Sequence, residues 1–513
     1  MEALFSGALL SAALLALLAL IVFHLLGDYV YKWNKMKRIP GLSPTYPILG
    51  NALLFKPSGE DFFLQLIEFT TKCRDEPLMK LWLGPLPFIV LFHAETVEMV
   101  LSSSKHLDKS YAYKFLHPWL GNGLLTSTGN KWRARRKLIT PTFHFTILME
   151  FLEVMNEQTN ILLEKLEKKV GKGPFNCFSD ITLCALDIIC ETAMNMKVYA
   201  QSNSDSEYIR AIYKMSDLIH RRQKMPWFWP KFLYNTFGKG KEHDEALKIL
   251  HSFTEKVVAE RFRKTENSEE FDHSGSDSDT NSRRKMKRKA FLDLILSATD
   301  EDGKKLSQQD IREEVNTFMF EGHDTTAAAI NWALHLLGSH PDVQKNVHKE
   351  LDDVFGNSDR SATMEDLKNL QFLQCVIKES LRLFPSVPIF GRTLLEECYI
   401  GFTIPKGVNA MIIPYALHRD PRYFPDPEEF RPERFLQENA KTMNPYAFIP
   451  FSAGLRNCIG QRFALIEEKV VLSSILRRFH VEAKQSREEL HLVGELILRP
   501  QDGIWIELHH RTE

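Results

Sequence analysis

The chain has 513 residues, enough to bury a large core, and length alone allows two to four domains. Its 65 basic and 66 acidic side chains balance, so nothing in the charge indicates a nucleic-acid partner. Seven cysteines, odd in number and with no C-x-x-C pair, do not read as a disulfide framework and fit a reducing compartment.

Ala3 to Leu26 is nearly all Leu, Ala, Ile, Val and Phe. As a helix it would be about 36 Å long, enough to cross a bilayer. Glu2 precedes the run, and the basic residues Lys32, Lys35, Lys37 and Arg38 follow it. A cleaved signal has its positive region first, so this order predicts an uncleaved anchor with the body on the cytosolic side. Residues 1–30 are therefore read as the anchor and 31–47 as a basic, proline-rich hinge. The hinge has three prolines between Pro40 and Pro47, which stiffen it and should fix the attitude of the body.

Leu78 to Pro85 and Pro87 to Phe92 read as a short strand pair bent at Gly84-Pro85. Lys131-Trp-Arg-Ala-Arg-Arg-Lys137 is basic around one tryptophan; on a helix, Trp132 and Arg136 share a face. Alone, such a run reads as an exposed basic helix turn; if Trp132 and Arg136 face inward, Arg133, Arg135 and Lys137 would face outward. From Thr146 to Arg222 the pattern is helical, broken at Gly171-Lys-Gly-Pro174. Lys224-Met-Pro-Trp-Phe-Trp-Pro-Lys231 is an aromatic knot suited equally to a membrane interface and to a packed loop. Residues 264–289 are acidic, then Ser/Asp-rich, then basic, and are expected to form a solvated polar loop.

Ser307-Gln-Gln-Asp310 is a capping signature opening a helix from Ile311 to about Ser339, before Pro341. Its middle is apolar almost all round, yet carries Glu321-Gly-His-Asp-Thr-Thr326. A helical glycine costs about 1 kcal/mol, and buried carboxylates cost more unless neutralised. Costs tolerated in one stretch point to function. Glu321 and Thr325 share a face, and Gly322 beside them is expected to admit a flat ligand. Glu379 and Arg382, three residues apart on a later helix, form an expected ion pair. Phe451-Ser-Ala-Gly-Leu-Arg-Asn-Cys458-Ile-Gly460 then sets a cysteine between two glycines, with Arg456 beside it to help hold a thiolate. Gln461 to Arg478 continues as helix, and the tail reads as strands with a Gln501-Asp-Gly turn.

The pattern F-x-x-G-x-R-x-C-x-G resembles the haem-binding loop of the cytochromes P-450, the haem-thiolate monooxygenases. Leu455 departs from it, standing where many close relatives carry proline. The resemblance extends through Trp132-x-x-x-Arg136, Glu379-x-x-Arg382, Pro432-Glu-Arg434-Phe435 and the acid-threonine pair Asp324-Thr325, and so covers nearly the whole chain. It implies a mainly α fold with a smaller β-rich part, forming one catalytic domain over 48–513. It implies Cys458 as axial iron ligand, haem b as cofactor, and Trp132, Arg136, Arg392 and Arg456 as propionate partners. Glu379, Arg382 and Arg434 would form a structural network behind the haem, while Asp324 and Thr325 would deliver protons to the oxygen being activated. Glu321 resembles the glutamate that in family 4 is esterified to a haem methyl, and the wording around Trp132 is most like subfamily V.

Those enzymes are fatty-acid ω-hydroxylases of the endoplasmic reticulum membrane, using O2 and electrons from NADPH. The chain shows no flavin or nicotinamide module. The implied donor is therefore NADPH-cytochrome P-450 reductase, with cytochrome b5 as a second candidate. Substrates would be medium- to long-chain fatty acids, polyunsaturated ones included. A haem-thiolate isomerase or synthase, or a non-catalytic haem sensor, is the rival reading; neither needs the acid-threonine pair together with a reductase.

Overall fold

The computed structural model describes residues 2–56, 58–203, 206–272, 291–299 and 303–511; the side chains of residues 2–8, 264–272 and 440 are left undescribed. The principal helices are α1 (Glu2–Lys35), α2 (Gly59–Lys72), α3 (Gly129–Ile139), α4 (Phe145–Glu167) and α5 (Phe178–Thr192). They continue with α6 (Glu207–Lys224), α7 (Gly240–Asp272), α8 (Gln308–Ser339), α9 (Gln371–Leu383) and α10 (Gln461–Arg478). The strands used below are β1 (Met79–Leu83), β2 (Leu86–Leu91), β3 (Phe390–Thr393), β4 (Asn409–Ile412), β5 (Phe479–Ala483), β6 (Leu492–Gly494), β7 (Leu498–Pro500) and β8 (Trp505–His510).

Helix α1 is apolar, exposed from residue 9 to residue 28, and long enough to cross a membrane. Its last turns are not free. The Tyr29 and Trp33 rings pack on Trp82 of β1, with centroids 5.4 and 5.1 Å away. Met36 is fully buried in the same small core. Aromatic contacts of this kind hold α1 to the sheet directly, so the attitude expected of the prolines rests on side-chain packing as well.

Strands β1 and β2 pair as a hairpin through Gly84, whose φ of +57° a side chain rarely adopts. The sheet order is β1-β2-β4-β3, with β2 and β4 parallel and the other pairs antiparallel. Two smaller pairings, β6-β7 and β5-β8, close the C-terminal end. The large core lies among the helices, and α8 crosses it.

Helix α8 begins where expected: the Ser307 hydroxyl accepts from the Asp310 amide at 3.1 Å. With 32 residues it spans about 48 Å and is buried on every side through its middle. The helical stretch from Thr146 is broken twice, since residues 193–203 also leave the α-helix after α5. Helix α7 continues to Asp272, so the start of the stretch expected as a polar loop is helical; its residues 273–289 lie outside the described residues.

The aromatic knot divides its work. Trp229 turns inward onto Tyr111 and Phe115, its indole N–H donating to the Arg222 carbonyl at 3.1 Å. Trp227 stays partly exposed, and Phe232 and Phe237 on the following short helix are 71% and 72% exposed. The packed-loop reading therefore holds for Trp229.

Candidate functional site

The loop before α10 is shaped by two unusual backbone positions, Ser452 at φ +59° and Gly454 at φ +71°. A Cβ on Gly454 would lie 1.9 Å from the Leu101 carbonyl oxygen, so only glycine fits. That glycine makes room for protein backbone rather than for a ligand. Gly460 is different, because a Cβ there would meet nothing nearer than Cys458 Sγ at 3.9 Å. The Cys458 amide donates to the Phe451 carbonyl at 2.9 Å and closes the loop. The cysteine is left beside the N-terminus of α10, with its thiol facing an internal cavity.

Burial pushes the Cys458 thiol up to about 11, while the Gly460 amide and Arg136 pull it down. Arg456, expected to hold the thiolate, is not among the groups acting on it. Side chains alone leave a thiol here; a bound metal ion deprotonates a coordinating thiol outright.

The cavity encloses about 340 Å³ and is bordered by Cys458 on one side and by Glu321, Gly322, Thr325 and Thr326 of α8 on another. Glu321 has its carboxyl raised to about 7 by burial, with Lys109 pulling it down. Thr325 donates to the Glu321 carbonyl at 2.6 Å, and Ser386 donates to the Thr325 carbonyl at 2.8 Å. Gly322 borders the cavity too, but its vacancy serves another purpose. A Cβ there would fall 2.6 Å from two carbons of Ile189 on α5. The glycine lets α5 and α8 approach, which corrects the expectation that it makes room for a flat ligand. Gly322→Ala is thus expected to lower the denaturation midpoint with Ile189 present and to raise it in an Ile189→Ala background. A midpoint shift of one sign in both backgrounds would contradict this contact.

Asp324 is 1% exposed and faces away from the cavity wall. One carboxylate oxygen is held by Arg499 of β7, and the other, Oδ1, has no hydrogen-bond partner. Sequence reasoning missed Arg499. Its signal was faint: one cation inside the apolar run Leu496-Ile-Leu-Arg-Pro500.

Four cations gather near the cysteine. Arg136 donates to the Asn457 carbonyl at 2.6 Å and to its side-chain oxygen at 2.9 Å. Arg456 lies over the Trp132 ring at 4.9 Å and donates to four backbone carbonyls, yet its Nε has no partner. Arg392, 1% exposed on β3, has its guanidinium bonded, among the described residues, to its neighbour's carbonyl alone, at 3.4 Å. Lys109, unmarked by the sequence, lies beside them with its ammonium 4.6 Å from the Tyr113 ring centroid. Two buried and two half-buried cations close together, with no carboxylate in hydrogen-bond reach among the described residues, suit an anionic ligand. The soft sulfur donor, the orphaned Arg456 Nε and the open side of Gly460 together fit an iron porphyrin with its acidic edge on these cations.

Arg135 corrects another expectation. It turns inward, its guanidinium 2.7 Å from Asp310 and 3.5 Å from Glu314 at the start of α8. Only Arg133 and Lys137 of that trio are exposed. Behind the site, Glu379 accepts from Arg382 at 2.7 and 2.8 Å and from Arg434 at 3.3 Å.

Residues 40–508 match the family model described as cytochrome P450. The chain belongs to the cytochrome P450 family. It is 61% identical to cytochrome P450 4V2 of Homo sapiens over 97% of this chain and 94% of the relative. The Mus musculus protein of that name is 60% identical over the same shares. Cytochrome P450 4c3 of Drosophila melanogaster is 46% identical over 96% of this chain and 93% of the relative. This places the protein in family 4, with the P450 fold and a haem-iron cofactor that activates O2 with electrons from a redox partner. As a cytochrome P450 it is a monooxygenase, and α1 is compatible with a membrane anchor.

Proposed function

We propose that this cytochrome P450 hydroxylates the terminal carbon of medium- to long-chain fatty acids, polyunsaturated ones included. The observation that carries the reading is the cavity itself: Glu321 and Thr325 border it opposite Cys458, and most of the remaining wall is apolar. The close likeness to cytochromes P450 named 4V2 supports it. Bound haem supplies oxygen activation at iron held by the Cys458 thiolate. The protein's own residues do the rest. Arg136, Arg392, Arg456 and the Trp132 N–H hold the acidic edge of the cofactor. Asp324, released from Arg499, passes a proton to the Thr325 hydroxyl at the cavity wall.

Attack at a terminal methyl is disfavoured against the neighbouring methylene, so the walls must impose it by position. Glu321 would hold the cofactor through an ester to a haem methyl, which would fix the haem relative to α8. Glu321→Ala is expected to free the haem to acid-acetone extraction with unchanged mass, and to shift product several-fold towards in-chain alcohols. An unchanged product ratio would remove the positioning role.

The donor is NADPH-cytochrome P-450 reductase, with cytochrome b5 as a second candidate, docking on the face that exposes Arg133 and Lys137. Residues 1–30 anchor the protein in the endoplasmic reticulum membrane, 31–47 link them to the catalytic domain 48–513, and Phe232 and Phe237 dip into the lipid beside them. Incubation with reductase, NADPH, O2 and fatty acids of graded length tests the reading. Terminal alcohols from at least one chain length support it. NADPH-independent rearrangement, or no product at all, favours the isomerase or the sensor.

A further inference from the structure

The β6-β7 hairpin touches both the cavity and the acid-bearing helix. Glu495, Leu496 and Ile497, which join its two strands, border the cavity. Leu498 follows and is pinned through its backbone. Its N–H donates to the Ser386 carbonyl at 2.9 Å, and its carbonyl accepts from the Trp332 indole of α8 at 3.2 Å. Ser386 in turn donates its hydroxyl to the Thr325 carbonyl. Arg499 comes next and holds Asp324. One short stretch therefore carries a piece of cavity wall on one side of a fixed point and the clamp on the acid on the other.

Arg499 stands between two carboxylates. Its Nη2 donates to Asp324, while its Nη1 lies 4.0 Å from Glu495 Oε2. Its Nε is buried without a hydrogen-bond partner, and its guanidinium carbon is 4.5 Å from the ring centroid of Tyr213 on α6. A cation over a ring stays attracted out to about 6 Å from the centroid, so this contact tolerates a small movement of the guanidinium. Glu495 borders the cavity and Asp324 does not. Burial raises the Glu495 carboxyl to about 7 and Arg499 pulls it down, so a closer guanidinium favours its charged form.

Building on the proton-delivery role proposed for Asp324, we infer that Arg499 is a positioning residue that ties proton delivery to occupancy of the cavity. A chain lying against Leu496 and Ile497 moves the guanidinium from Asp324 to Glu495 and frees the acid to turn towards Thr325. With the cavity empty, the carboxylate is held by the cation and cannot turn to the hydroxyl. A ligand shifts such an equilibrium only through contacts that differ between its two positions, and Leu496 and Ile497 supply them. Exchanging one carboxylate for another keeps the buried cation paired throughout, which avoids stranding a charge.

The test uses the haem-loaded, full-length protein with reductase, NADPH and the fatty acid that the wild type oxidises fastest. Glu495→Gln keeps the side chain's shape and removes the charge that receives the guanidinium. It should lower kcat about fivefold or more, hold KM within about twofold, and enlarge the solvent isotope effect on kcat. In an Arg499→Gln background, where nothing clamps Asp324, the same exchange should leave kcat unchanged. In an Arg499→Lys background, which keeps the charge, it should lower kcat again. A structural Glu495 would instead raise KM or release haem, and would do so in every background. An unchanged kcat in Glu495→Gln overturns the coupling, and this result needs no Arg499 variant to fold. An equal fall with and without Arg499 overturns it too. If Asp324→Asn lowers kcat while Glu495→Gln does not, the coupling alone fails. If Asp324→Asn matches the wild type, the proton role fails and takes the coupling with it. A wild type that oxidises no fatty acid removes the substrate reading and the coupling built on it.

Discussion

Exchanging Asp324 for asparagine is expected to lower kcat by about 10²-fold, the scale of losing one positioned general acid. The exchange keeps the shape of the side chain and removes only its proton chemistry. Asp324 is buried on α8 next to Thr325, whose hydroxyl reaches the cavity wall, and Arg499 engages one carboxylate oxygen. The free Oδ1 is the atom from which a proton would travel once that contact opens. Haem content and substrate affinity should stay near wild type, while the solvent isotope effect on kcat should grow. Arg499→Lys, which keeps charge but loses the planar fork, should show a smaller fall. Equal kcat values for wild type and the Asp324→Asn protein would leave the carboxylate without a part in proton delivery.

Neutralising Glu379 is expected to produce the largest loss of stability, about 3–5 kcal/mol. Glu379 and Arg382 are both 0% exposed, one turn apart on α9, and joined by two hydrogen bonds. Arg434 and the Arg431 amide use the same carboxylate. Arg382 also donates to the carbonyls of His418, Pro427 and Glu429, so the pair fastens the loop before the cysteine to the helical core. Glutamine in place of Glu379 leaves two guanidinium groups facing a neutral amide, one of them fully buried. Urea melts of the holoprotein should show the drop together with easier haem loss. A midpoint within experimental error of wild type would mean that the network carries little of the fold.

Much of this was legible in the sequence, because the informative features are local. The span of α10, the Ser307 cap of α8 and the hairpin at Gly84 each depend on residues a few positions apart. Cys458, Glu321 and Thr325 could be named for the same reason: a cysteine between glycines, and polar groups inside an apolar helix, are anomalies visible without a structure. What stayed hidden is long-range. Arg499 meets Asp324 across 175 positions, and a single cation in an apolar run does not say which carboxylate it will meet. Lys109 and Lys224 look like ordinary surface lysines until the fold puts them on a cavity wall. Arg135 was misjudged because its run looks solvated, whereas the acids it meets open a helix far along the chain. Gly322 was misread because the volume its missing Cβ frees is claimed by Ile189, which only the packing of α5 on α8 makes evident.

The most direct check of the whole account is the absorption spectrum of the reduced, carbon-monoxide-treated protein, with Cys458→Ser alongside. The account predicts a Soret band at the position of thiolate-ligated haem in the wild type, and its loss together with turnover in the serine variant. A wild-type band at the position of imidazole-ligated haem, or a serine variant that still hydroxylates, would contradict it.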